Sequence, residues 1–140
     1  MSLLVVDASV ALKWVIPEDG SILALALRRE HRFTAPDLLI AECANVLWKQ
    51  VRRGFLSEEQ AFGAADVLSQ ADIDLKPMRP LIAATTRLAI ALNHPAYDCF
   101  YLALAIAEDS PFVTADERLV RKVEAAGSGP EIRLLSSFAV

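Results

Sequence analysis

The sequence has little of what staples a small protein or makes it a cation by composition. There are two cysteines in 140 residues, Cys43 and Cys99, each inside an apolar helical pattern. That excludes a disulfide framework and gives no metal-ligand spacing, so both are expected to be reduced core residues of an intracellular chain. Histidine is as scarce: His31 and His94 are too scattered for a His-based acid–base pair, and His94, in the loop ahead of Asp98, either approaches a substrate or, as is commoner for a loop histidine, is incidental. Basic residues are outnumbered, 14 Lys and Arg against 18 Asp and Glu, for a net charge of -4. A binder that holds nucleic acid through a general basic surface is therefore excluded. No charge-free apolar run approaches the roughly 18 residues of a membrane span, and Asp7 and Lys13 interrupt the hydrophobic start. A soluble, cytoplasmic chain with no membrane partner is expected. Internal repeats, linkers and low-complexity tracts are missing, as are a Walker A loop, a GxGxxG turn and a nucleophile elbow.

What is abundant is apolar surface: 54% of the residues are hydrophobic. A chain of this length is expected to form one domain over residues 1–140, with more greasy surface than one small core hides. A dimer or a protein partner follows as an expectation.

The stretch LLVVDAS, Leu3 to Ser9, organises the rest. Four apolar residues without polar alternation suit a strand buried on both faces of a parallel sheet. Later strands are expected at Phe33–Ala35, Ile73–Leu75, Phe112–Thr114 and Ile132–Leu135. Helices are expected over Val10–Ile16, Ser21–Arg29, Leu38–Arg53 with Asp37 as its cap, Ser57 to about Gln70 behind a capping box, Leu81–Leu92, Tyr97–Ala107 and Glu117–Ala126. Strands alternating with helices indicate an α/β domain with a mostly parallel sheet, whose ligands gather at the carboxyl ends of the strands.

Four acids break apolar surroundings near such positions. Asp7 ends the first strand, where it either caps the next helix, as Ser9 could, or serves a site. Glu42 is the first charge in its helix, falls on one stripe with Asn45, Lys49 and Arg52, and is as well placed to face inward as outward. Asp98 is the only Asp, Glu, Lys or Arg between Arg87 and Glu108. Its helix, DCFYLALAIA, is apolar all round, so full burial and a nearby cation are expected for it. Asp116, after FVT, reads by itself as an N-cap. Ser9 and Thr114 offer supporting hydroxyls. Carboxylates without clustered His or Cys select Mg2+ or Mn2+ over zinc, and two such ions would cancel four negative charges.

With VVDASVALKW, the acid in APDLLIAECANVLWK, YDCFYLALA and TADERL in this order, the chain resembles the PIN domain, and more narrowly the VapC toxins of VapBC toxin–antitoxin pairs. The resemblance spans essentially the whole chain; each motif is weak alone and the ordered set is specific. It implies a three-layer α/β/α fold with a five-stranded sheet in the order 3-2-1-4-5. It further implies an acidic cluster at Asp7, Glu42, Asp98 and Asp116, supported by Ser9 and Thr114, that positions one or two Mg2+ or Mn2+ ions. Some relatives carry another acid two positions after the last one; Arg118 stands there in this chain, with Glu117 as its substitute. The implied activity is hydrolysis of RNA phosphodiesters by metal-activated water, and the implied partners are a second copy of the chain and a VapB-like antitoxin. Lys13, Lys49, Arg52, Arg79 and Arg118 are the candidates to grip the RNA. Two other readings are a PIN-like module that binds RNA or protein without cutting, and a phosphoryl-receiver domain. The receiver needs paired acids after the first strand and an Asp after the third, where the chain has Val6-Asp7 and Lys76-Pro77.

Overall fold

The first strand, β1 (Ser2–Val6), lies at the centre of a five-stranded sheet whose strands, numbered along the chain, stand in the order 3-2-1-4-5. The computed structural model describes residues 2–127 and 129–138. Every pairing is parallel: β1 with β2 (His31–Pro36) from Ser2↔His31 to Val5↔Thr34, and with β4 (Phe112–Thr114) at Val5↔Phe112 and Val6↔Val113. The edges are β3 (Asp74–Lys76) and β5 (Ile132–Leu134). Because β1 is the first strand and β4 its other neighbour, the order reverses between them, and in sheets of this kind the crevice that takes ligands lies at the carboxyl ends of the strands beside that reversal.

Alternate side chains of these strands feed two layers of core. Leu4, Val6, Phe33 and Val113 pack with Val10 of α1 (Ala8–Ala11) and with Ala24 and Leu27 of α2 (Ser21–Glu30). Val5, Ala35 and Phe112 belong to the second layer, which is dominated by α6 (Ala96–Glu108). In α6 the run from Tyr101 to Ala105 is buried without a break, and the Tyr101 ring stacks on Phe112 at 5.7 Å. The same layer takes Leu39, Cys43 and Leu47 of α3 (Leu38–Arg52), Ala61 and Ala64 of α4 (Glu58–Ser69), and Leu119, Val120 and Val123 of α7 (Glu117–Ala126). The remaining helix, α5 (Ile82–Leu92), packs mainly on α6. The three-layer α/β/α arrangement and strand order expected above are both present. Among the described residues, no helix is long and apolar enough to cross a membrane.

Several element ends differ from the sequence reading, each for a local reason. The first helix starts at Ala8 rather than Val10, because the Asp7 carboxylate accepts the Ser9 N–H and so caps it. It tightens into a 3-10 turn at Leu12–Trp14 and is over before Pro17. Asp37 precedes α3 but makes no side-chain capping bond; its own N–H donates to the Lys76 carbonyl and ties the α3 entry to β3. At α4 the capping box forms as expected, with Ser57 accepting from the Gln60 N–H and Gln60 accepting from the Ser57 N–H. β2 is longer than expected at both ends, since it pairs with β1 at its start and with β3 at its finish. The last strand stops at Leu134, and Leu135 opens a 3-10 turn.

Candidate active site

Asp7 stands at the carboxyl end of β1 with 9% of its surface exposed. Its Oδ1 accepts from the Ser9 N–H at 3.1 Å and from the Ser9 hydroxyl at 2.5 Å, and its Oδ2 accepts from the Thr114 hydroxyl at 2.6 Å. A hydroxyl has one hydrogen to give. Both hydroxyls give theirs to Asp7, and each accepts a backbone N–H in return: Ala115 to Ser9 at 2.9 Å, Asp116 to Thr114 at 3.1 Å. The ends of β1 and β4 are thus laced together across more than 100 residues of chain, and both hydroxyls proposed as supports from the sequence are in place.

Burial pushes the Asp7 carboxyl up from 3.8 to about 6, against the pull of its Ser9 and Thr114 hydrogen bonds. The negative charges of Asp98 and Glu42 push the same way. Glu42 in turn is raised, first by burial and then by Asp98, while Tyr101 opposes the shift by donating its phenol hydrogen to Oε1. Asp7, Glu42 and Asp98 therefore share one field at the crevice, although they come from β1, α3 and α6. Among the described residues, neither Asp7 nor Glu42 has a Lys or Arg ion-pair partner.

Asp98 corrects the expectation of full burial. It sits in the first turn of α6, ahead of the enclosed segment, with 35% of its side chain exposed. The nearby cation demanded for it from the sequence is not needed for burial, and a protein group already stands beside it: His94 Nε2 lies 2.6 Å from Asp98 Oδ2. His94 is thus not incidental. His94 stands in the turn before α6, outside either helix, so helical spacing did not announce its contact with Asp98.

Asp116 is the N-cap of α7, with Oδ1 accepting the N–H groups of Arg118 and Leu119 at 3.0 and 3.1 Å. The capping role and a place beside the crevice coexist, since its own N–H is bonded to Thr114. Glu117 is exposed and faces Arg121 at 3.6 Å. Of the basic candidates, Lys13 is held by Glu18 at 3.1 Å, and Arg52 lies over the Trp48 ring at 4.6 Å. Lys49 is half-buried on α3, while Arg79 and Arg118 are exposed.

Glu42, Asp98 and Asp116 each use one carboxylate oxygen for protein hydrogen bonds and keep the other free, whereas Asp7 engages both and keeps lone-pair capacity mainly on Oδ2. Asp98 Oδ1, Glu42 Oε2 and Asp116 Oδ2 accept no protein hydrogen bond among the described residues, and Asp7 Oδ2 accepts one. Unengaged carboxylate oxygens are the donors that hard cations take. The set is open: among the described residues, no three His, Cys, Asp or Glu side chains stand close enough to form a ready-made metal cage. Tyr101 and Lys122, which contacts the far side of His94, were not singled out in the sequence. Nothing local marks them, because their partners lie 59 and 28 residues away.

Known proteins resemble this chain over most of its length. Residues 4–125 match the model of the PIN domain. The chain is 37% identical over 94% of its length to Ribonuclease VapC1 of Mycobacterium tuberculosis, covering 96% of that protein. It is 34% identical over 87% of its length to Ribonuclease VapC3 of Pyrobaculum aerophilum, covering 95% of that protein. Among solved structures, PAE2754 of Pyrobaculum aerophilum superposes with a TM-score of 0.72 at 23% identity, over 97% of this chain and 85% of that one. VapBC2 of Rickettsia felis, bound to a DNA fragment from its promoter, superposes with a TM-score of 0.67 at 14% identity, over 94% and 98% of the two chains. With a family match across most of its length and two VapC proteins above 30% identity, the chain belongs to the PIN domain family, in its VapC branch.

Proposed function

We propose that this chain is the toxin of a toxin–antitoxin pair, an endoribonuclease that hydrolyses RNA phosphodiesters with water activated at an Mg2+ or Mn2+ site. The observation that carries this reading is the shared field of Asp7, Glu42 and Asp98, each with oxygen lone pairs turned to no protein donor. Gathered carboxylates, of which Asp7 and Glu42 have no Lys or Arg partner among the described residues, repel one another, and that repulsion is relieved by a cation or by protons. The open geometry suits Mg2+, which keeps several of its waters and is held by one or two carboxylates together with substrate phosphate. Such an ion, when bound, supplies the Lewis acidity that lowers the pKa of attacking water and steadies the departing oxygen.

The chain's own residues fix the rest. Ser9 and Thr114 hold the Asp7 carboxylate in one orientation, Tyr101 holds Glu42, and the α7 amides hold Asp116. RNA brings negative charge to a protein of net charge -4. Contacts from Arg79, Arg118 and Lys49 therefore have to act locally, one phosphate at a time. The names of the relatives support ribonuclease activity, and the VapBC2 neighbour supports a VapB-like antitoxin. Trp48, Phe55 and Phe62 on and between α3 and α4 are large apolar side chains open to solvent. They give an antitoxin or a second copy of the chain the apolar surface that a stable interface buries.

The test is bacterial growth after induced expression of the wild-type chain and of Asp98→Asn at matched soluble levels. Arrest by the wild type alone is expected. Equal arrest by both proteins would refute a role for the carboxylate site in toxicity.

A further inference from the structure

His94 is anchored from three directions. Its N–H donates to the Ala89 carbonyl at the end of α5, and the neighbouring Asn93 takes the left-handed conformation that ends that helix, at φ +50°. Lys122, on α7, donates to the Asn93 carbonyl at 2.8 Å and stands 3.2 Å from His94 Nδ1. On the other side of the ring, Nε2 meets Asp98 Oδ2 at 2.6 Å. A row of side chains, Lys122–His94–Asp98, thus runs from α7 to the crevice.

The chemistry of its ends assigns the ring proton. A lysine ammonium has donors and no acceptor, so Nδ1 has to be the accepting nitrogen and Nε2 the one that carries hydrogen. An ionised aspartate is an acceptor only, which matches an Nε2–H donor facing Oδ2. Both ends select the same tautomer. With Oδ2 fixed in this way, Asp98 Oδ1 is the oxygen left for a cation.

We infer that His94 and Lys122 are positioning residues that hold Asp98 in a single cation-binding orientation. The inference rests on the reading of the site as a cation site, and its geometry stands on the Lys122–His94–Asp98 contacts alone. Groups behind a ligand commonly change metal affinity by about 10–100-fold when removed. The same α7 carries Asp116 at its N-cap, so Asp98 and Asp116 are oriented from one helix.

Two measurements on the full chain test this. The first is the 15N shift pattern of the His94 ring in the apo protein at about pH 8, in wild type and Lys122→Met. Hydrogen on Nε2 is expected in the wild type and still favoured in the variant, where Asp98 continues to accept from it; hydrogen on Nδ1 in the wild type overturns the assignment. The second is Mn2+ affinity, read with a thermal melt of each variant. His94→Ala is expected to weaken Mn2+ binding about 10-fold or more. His94→Gln, which places an amide N–H near Nε2, is expected to restore most of that affinity. Lys122→Met should weaken binding less than His94→Ala does, and the double variant no more than His94→Ala alone, because Lys122 acts only through the ring. A lowered melt with unchanged Mn2+ affinity in His94→Ala would make the contact merely structural and overturn the inference. Fully additive losses would do the same. A folded wild type that binds no Mn2+ but keeps the Nε2–H ring overturns the cation site itself, which separates that failure from this one.

Discussion

Asp7 and Asp98 meet at one crevice and are held in opposite ways. Asp7 is buried among neutral donors, two hydroxyls and an amide, and among the described residues its charge has no basic counterpart. Asp98 is open to solvent on one side and backed on the other by His94, with the Lys122 ammonium behind the ring. The first arrangement fixes a carboxylate and leaves its charge costly; the second fixes one whose charge water and a basic row already help to carry. What they share is a free lone pair at the crevice, which is what a hard cation requires. The difference is one of stability, and it separates the two residues experimentally.

The largest expected effect is on catalysis, where the two residues should agree. Asp7→Asn and Asp98→Asn are each expected to lower RNA cleavage by about 100–1000-fold, the loss of several kcal/mol of charge stabilisation. Cleavage of a labelled RNA by purified variants checks this; near wild-type rates for either would remove that residue from the site.

The next effect should split them. Asp7 is raised from 3.8 to about 6, so its native state holds the proton more tightly than the unfolded chain does. Its contribution to stability is therefore full below about pH 4 and is lost as the pH rises through about 6. The apo protein should lose on the order of 3 kcal/mol from this residue between pH 4 and pH 7. Asp7→Asn should flatten that part of the profile, and Asp98→Asn should lessen it only in part, because burial, the largest cause of the Asp7 shift, remains while the Asp98 charge is removed. Denaturant unfolding at a series of pH values decides; parallel profiles for wild type and Asp7→Asn would contradict the burial argument. Saturating Mn2+ should restore wild-type stability at pH 7 and leave Asp7→Asn little changed.

A smaller effect is expected at Glu42. Tyr101→Phe keeps the ring stacked on Phe112 but removes the donor to Oε1, at a cost of about 1 kcal/mol of stability. Cleavage should fall by a modest factor, as Glu42 loses its fixed orientation; unchanged cleavage would show that Tyr101 serves packing alone. The smallest lies outside the crevice. Ser57→Ala breaks the α4 capping box and should cost about 1 kcal/mol without altering cleavage. It is the control that separates stability from site chemistry.

How much of this was legible in the sequence follows from the range of each interaction. The unbroken apolar run before Asp7 announced the central strand, and the capping box at Ser57 announced α4, because both signals are local. The helix containing Asp98 was rightly placed at the core. Asp98 itself is not fully buried: it lies ahead of the run enclosed from Tyr101 to Ala105 and keeps 35% of its side chain exposed, although the adjacent Cys99 is enclosed. The pairing of Tyr101 with Glu42 depends on how α6 crosses α3, and that of Lys122 with His94 on how α7 meets the α5–α6 turn. Neither crossing leaves a trace in spacing. The approach of Asp7 to Thr114 was anticipated only as far as the switch point between β1 and β4 allowed.

The most direct test of the cation site is titration calorimetry of Mn2+ into the purified, partner-free wild-type chain at about pH 7.5, with Asp7→Asn as comparator. Saturable binding by the wild type, lost or strongly weakened in the folded variant, is the predicted result. A folded wild-type chain that takes up no Mn2+, or a variant that binds it equally well, would contradict the account.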